Sequence, residues 1–114
     1  MREDQVYMIY IGECIQRIET YTNRDKESFF NNTLIQDAVL MNLLLLAEST
    51  ARLSDQIKLS NPQVDWRGLS GFHRVLEFPG VNLATVWDVV ERFIPTFKND
   101  MEDIMKELVG MTNQ

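Results

Sequence analysis

The chemistry-bearing residues of this 114-residue chain crowd into one stretch: Trp66-Arg67-Gly68-Leu69-Ser70-Gly71-Phe72-His73-Arg74-Val75-Leu76-Glu77-Phe78-Pro79-Gly80-Val81-Asn82-Leu83. His73 is the single histidine, so any imidazole chemistry near neutral pH belongs to it. Arg67 precedes it with five residues between, and Arg74 follows directly. Arginine and histidine without a metal suit cleavage of an RNA phosphodiester. The imidazole moves the 2′-hydroxyl or leaving-group proton, and the guanidinium stabilises the extra charge on phosphorus. A lone histidine near a helix end serves a structural role just as readily. One histidine, one cysteine and no His-Glu-x-x-His spacing give no zinc set. A phosphate-cradling Gly-Lys-Ser/Thr loop and a dinucleotide glycine pattern are also missing. We therefore expect neither metal nor cofactor. Glu13 and Glu48 read as solvated or structural rather than as an acid/base couple.

The elements around this connector read as helices. Tyr7, Ile11, Cys14, Ile18 and Tyr21 form one stripe, widened by Met8 and Ile15. Thr22-Asn23-Arg24-Asp25 ends that helix, and Asp25 caps a short turn through Phe29 and Phe30. Thr33 with Gln36 reads as a capping box opening a helix to about Leu53. Its middle, Val39 to Ala47, is apolar nearly all round, which predicts the most buried helix. Asn42 interrupts it, either as a satisfied core amide or as a group that orients others across an interface. Ser54 to Gln63 is a polar connector with one helical turn, stopped at Asn61-Pro62. Asp65 caps a brief helix from Trp66. Asn82 caps the last helix, whose stripe is Leu83, Val86, Val90, Phe93, Phe97, Met101, Ile104 and Leu108. Pro95 inside it predicts a kink near Ile94. The fold class is all-α, one domain over 1–114 of about four main helices. Phe29, Phe30, Trp87 and the methionines are apolar surface available to a dimer, with core use the alternative for each.

Composition bounds the function. The chain is 45% hydrophobic and 25% charged, as ordinary globular proteins are. The net charge of −6 opposes a surface that grips nucleic acid all over and leaves room for a local basic site at Arg67 and Arg74. The longest unbroken apolar run, Leu43 to Ala47, is far short of a bilayer span. The charged start, Met1-Arg2-Glu3-Asp4-Gln5, lacks the apolar stretch of a secretory signal. A single cysteine, Cys14, permits no internal disulfide. The expectation is a cytoplasmic protein with no membrane partner.

The whole pattern resembles the HEPN-domain toxins of the HepT type, which are paired with minimal nucleotidyltransferase (MNT) antitoxins. The resemblance spans nearly all of the chain. It rests on Asp4 to Tyr21, on Leu34-Ile35-Gln36-Asp37-Ala38-Val39, and on Asn42 and Ala47-Glu48, where the family has a recurrent Asn and a Gly-Glu. It continues through Asp65-Trp66-Arg67 with Gly71, Gly80-Val81-Asn82-Leu83 and Val86-Trp87. The resemblance implies an up-and-down helical bundle that forms a homodimer. It implies a metal-independent ribonuclease acting on RNA, tRNA included, through an Arg-x4-6-His motif from both subunits. It also implies a cognate nucleotidyltransferase that silences the toxin by transferring AMP to a tyrosine just after the motif histidine.

The chain departs from that family at the motif. The usual text after Gly-Met/Phe is Arg-Asn/Asp-x-Leu-x-His-x-Tyr-x-Gly-Val-Asp/Asn-Leu. Anchored on Trp66-Arg67, His73 stands where the motif arginine belongs. Anchored on Gly80-Val81-Asn82-Leu83, Phe78 stands at the AMP-accepting tyrosine and lacks its hydroxyl. The stretch between is two residues too short, and no histidine follows Arg74. Three readings follow: an inactivated toxin; an active ribonuclease using a shifted Arg67 and His73, with Arg74; or a non-enzymatic module that binds the nucleotidyltransferase.

Overall fold

The computed structural model describes residues 2–69 and 82–112, and every regular element among them is helical. Helix α1 (Arg2–Thr22) buries Met8, Ile11, Cys14, Ile15 and Ile18, as its stripe predicts. Tyr21 departs from that prediction and stands 39% exposed. A 4-3-4-3 stripe drifts by about 20° per heptad on a straight helix, and two heptads carry it out of the core. Thr22 takes the buried place instead, its hydroxyl donating to the Ile18 carbonyl at 2.8 Å. Asn23 and Arg24, at φ 46° and 54°, then turn the chain through the left-handed region.

Asp25 caps α2 (Lys26–Asn31) as expected, accepting from the Ser28 N–H at 3.0 Å and the Ser28 hydroxyl at 2.8 Å. Those two bonds hold its carboxyl below the ordinary carboxylate range. The start of α3 (Thr33–Ala51) differs from the predicted capping box. The cap is Asn32, whose Oδ1 accepts from Leu34 N–H at 2.9 Å and Ile35 N–H at 3.2 Å. Asparagine is the stronger cap, and Asn32 already has the extended backbone a cap requires. Gln36 does not reach back. Its amide donates to the Phe29 and Phe30 carbonyls at 2.9 and 3.2 Å, satisfying the open end of α2.

Helix α3 is the central helix, with Val39, Leu43 and Leu46 fully enclosed. By length and composition alone it is long and apolar enough to cross a membrane. In the fold it packs one face against α1. Ser54 follows it and caps α4 (Asp55–Ser60). Its N–H and hydroxyl donate to buried Asp4 at 2.9 and 2.7 Å, so the end of α3 sits by the start of α1.

Asn82 caps α5 (Leu83–Asp88), accepting from the Ala84 and Thr85 N–H groups. A π-helical turn, Val89–Phe93, joins α5 to α6 (Ile94–Thr112). The predicted kink at Ile94 thus takes the form of a widened turn, in which the Ile94 N–H donates to the Val89 carbonyl. A regular turn would drive the Pro95 ring into the carbonyl four residues back, and a π turn moves that carbonyl aside. Helix α6 runs antiparallel to α1: Lys98 meets Glu19 at 3.1 Å, and Gln5 donates to the Leu108 carbonyl at 3.5 Å. Three long helical runs therefore pack up and down, with α2 and α4 as short connectors. Phe29 and Trp87, two of the residues offered above as spare apolar surface, are core residues, 0% and 6% exposed, with ring centres 5.4 Å apart.

Asn42 is half of what its core-amide reading requires. It is 6% exposed and its Nδ2 donates to the Ala38 carbonyl at 2.8 Å. Its Oδ1 is buried with no hydrogen-bond partner. A buried unpaired acceptor costs about 1–3 kcal/mol. The similar-sized replacement Asn42→Leu should therefore raise stability by roughly 1 kcal/mol, read as a higher urea midpoint at unchanged slope.

Candidate active site

The site candidates divide at Leu69. His73, Arg74 and Phe78 lie outside the described residues. Arg67 lies within them, exposed, on a helical turn at 67–69. That turn is started by Asp65, whose Oδ1 accepts from the Gly68 N–H at 3.0 Å, the cap expected from the sequence.

Four contacts hold the connector where it leaves the bundle. Trp66 Nε1 donates to the Asn61 carbonyl at 2.9 Å. The Trp66 ring meets Phe97 edge-on, with centres 6.3 Å apart. Phe93, on the π turn, stacks on Phe97 at 5.1 Å. Leu69 is 1% exposed and closes the core behind Arg67. At its far end the connector rejoins the bundle at the Asn82 cap.

Gly68 was one of three connector glycines with no role legible in the sequence. In the fold it lies directly against the π turn. A Cβ built there would come 2.5 Å from Phe93 Cε2 and 2.9 Å from Asp65 Oδ2. Glycine is thus required by close approach, because the ring is packed on Phe97 and the carboxylate is engaged as the cap. Gly68→Ala should cost about 1–3 kcal/mol, the usual range for overpacking, measured by thermal or urea unfolding.

A cleft of about 340 Å³ opens beside this entrance and is lined in part by Gln63, Asp65, Asp88, Arg92, Phe93 and Asp100. Arg92 is paired with Asp88 at 3.1 Å, which leaves the lining acidic. Such a surface repels a phosphate backbone, so RNA would have to approach from the Arg67 side. Glu13 and Glu48 are exposed and sit 4.0 and 3.5 Å from Arg17 and Arg52, one turn along their helices. They form solvated pairs, as the sequence suggested.

Comparison with known proteins gives the family. Residues 11–104 match the family described as ribonuclease HepT-like. A protein of Methanocaldococcus jannaschii, provisionally named an RNase, is 31% identical over 110 residues, covering 94% of this chain and 95% of that protein. The ribonuclease HepT, named as probable, of Thermococcus cleftensis is 27% identical over 108 residues, 92% of this chain and 98% of its own length. A longer M. jannaschii protein, named for gamma-glutamylcyclotransferase and provisionally for RNase, is 30% identical over 112 residues. This chain spans 50% of its length. No solved structure gives a match. An all-helical bundle, a connector held at Trp66, Gly68 and Asn82, and a family match across most of the sequence agree: the chain belongs to the HepT-like ribonuclease family.

Proposed function

We propose that this chain is the toxin-fold member of a toxin–antitoxin pair, and that its RNA-cleaving site is disabled. Membership of the HepT-like ribonucleases and relatives named for RNase activity support the class of reaction. The observation that carries the disabled state is the connector text. His73 stands in the arginine's place, no histidine follows Arg74, and Phe78 replaces the acceptor tyrosine. Without the second imidazole there is no general acid/base for the 2′-hydroxyl, a loss of about 10²–10⁴-fold in rate. Without a phenolic oxygen at Phe78 there is nothing for AMP to esterify. What remains on this reading is a cytoplasmic two-copy bundle that still binds its nucleotidyltransferase antitoxin. The purified protein should leave tRNA and single-stranded RNA intact in EDTA, while co-purifying with the nucleotidyltransferase encoded beside it. Metal-independent cleavage would overturn the disabled state. Failure to bind that partner would remove the retained pairing.

One observation favours a second reading. Arg67 is exposed on its helical turn and stands in Arg-x5-His spacing with His73, within the family's range. On that reading RNA is cleaved without metal, and His73→Ala lowers the rate by about 10²–10⁴-fold with the fold intact. Unchanged cleavage in His73→Ala would eliminate the imidazole as the acid/base group.

A further inference from the structure

We propose that a second copy of this chain packs antiparallel along the solvent side of α3, about a two-fold axis near residue 43. The inference rests on the two-copy reading above for its occupant and assigns that occupant a surface. Helix α3 buries one face in the bundle, yet its opposite face is also apolar. Leu34 is 77% exposed and Met41 56% exposed, while Ala38, Leu44 and Leu45 are half-buried. Leu34, Ala38, Met41 and Leu45 follow one another at spacings of 4, 3 and 4, the repeat of a helix that packs a second helix. From Asp37 to Glu48, about 16 Å of helix at the standard rise, this face carries no charge. The protein as a whole carries −6, so copies repel one another over most of their surface. This uncharged strip is where that repulsion is weakest.

The register and the charges choose the arrangement. Positions 34, 38, 41, 45, 48 and 52 are symmetric about residue 43. An antiparallel pair therefore sets Met41 on the other copy's Leu45 at the centre, and both again by symmetry. At each end Arg52 arrives beside Leu34, within a turn of Asp37. That guanidinium, 3.5 Å from its own Glu48, then lies between two carboxylates. A parallel pair would set Asp37 on Asp37, Glu48 on Glu48 and Arg52 on Arg52, like against like.

Light scattering on the eluting protein tests this without reading any activity. The wild type should weigh twice the 13.3 kDa chain, and Met41→Glu with Leu45→Glu should halve that mass at unchanged helical circular dichroism. Orientation is read in a Cys14→Ala background. Met41→Cys mixed with Leu45→Cys should cross-link on oxidation, while Met41→Cys alone should not. A dimeric wild type that the two glutamates fail to split would overturn this face and leave the two-copy reading standing. A monomeric wild type would overturn both. Monomer that binds phosphatidylcholine vesicles through the same residues would assign the strip to a bilayer and also overturn the proposal.

Discussion

A chain carrying His73→Arg and Phe78→Tyr, with an Ala-His dipeptide inserted between Leu76 and Glu77, should cleave RNA in EDTA where the parent does not. The change restores the family's arginine, its histidine and its tyrosine at their spacing, and it lengthens the connector by the two residues that are missing. The imidazole contributes about 10²–10⁴-fold as general acid/base. Placing a guanidinium at the developing phosphorane charge contributes further. Expression of the restored chain should arrest growth, and co-expression with the cognate nucleotidyltransferase should relieve the arrest. The same chain with phenylalanine kept at position 78 should cleave and resist that relief, since it offers no hydroxyl to AMP. A restored chain that folds, dimerises and leaves RNA whole would show that the parent's inertness has another origin than its motif.

Phe97→Ala should be the most damaging single truncation near the connector. The ring is 2% exposed, stacks on Phe93 at 5.1 Å and takes the edge of Trp66 at 6.3 Å. Removing a buried phenylalanine costs about 3–5 kcal/mol, transfer and cavity together. Against a domain stability of about 5–15 kcal/mol, that is a large share. Urea unfolding should show the midpoint falling steeply. As a control, Leu59→Ser, at a position 80% exposed, should stay within about 0.5 kcal/mol. If Phe97→Ala behaved like the control, the aromatic platform would not be what seats Trp66 and Gly68.

The sequence makes the helices legible because their signals are local. The stripe of α1, the caps at Asp25, Ser54 and Asn82, and the apolar middle of α3 each need only residues within a turn or two. The errors arise where the deciding partner is distant or competing. Thr33 and Gln36 match a capping box, but Asn32 caps better, and Gln36 finds the carbonyls of Phe29 and Phe30. Trp87 looks like spare surface until Phe29 and Glu91 are placed beside it at 5.4 and 2.9 Å. Pro95 marks a disturbed helix, yet its accommodation by a π turn depends on how the neighbouring carbonyls are packed. At the site, His73, Arg74 and Phe78 are legible as chemistry and as departures from a family text. Arg67's turn and its Asp65 cap are legible as local structure. The need for glycine at 68 is not, because the ring that forbids a Cβ lies 25 positions away at Phe93.

The two tryptophans stand in different surroundings, and this gives the molecule two built-in optical probes. Trp87 is enclosed in the core with its indole N–H held by Glu91 at 2.9 Å. Trp66 is half-buried at the mouth of the connector with its N–H on the Asn61 carbonyl. Emission from the first follows melting of the bundle, and emission from the second follows events at the connector. Replacing one by phenylalanine leaves the other as a reporter. A ligand or partner seated on the connector could then be followed by its colour change without a label.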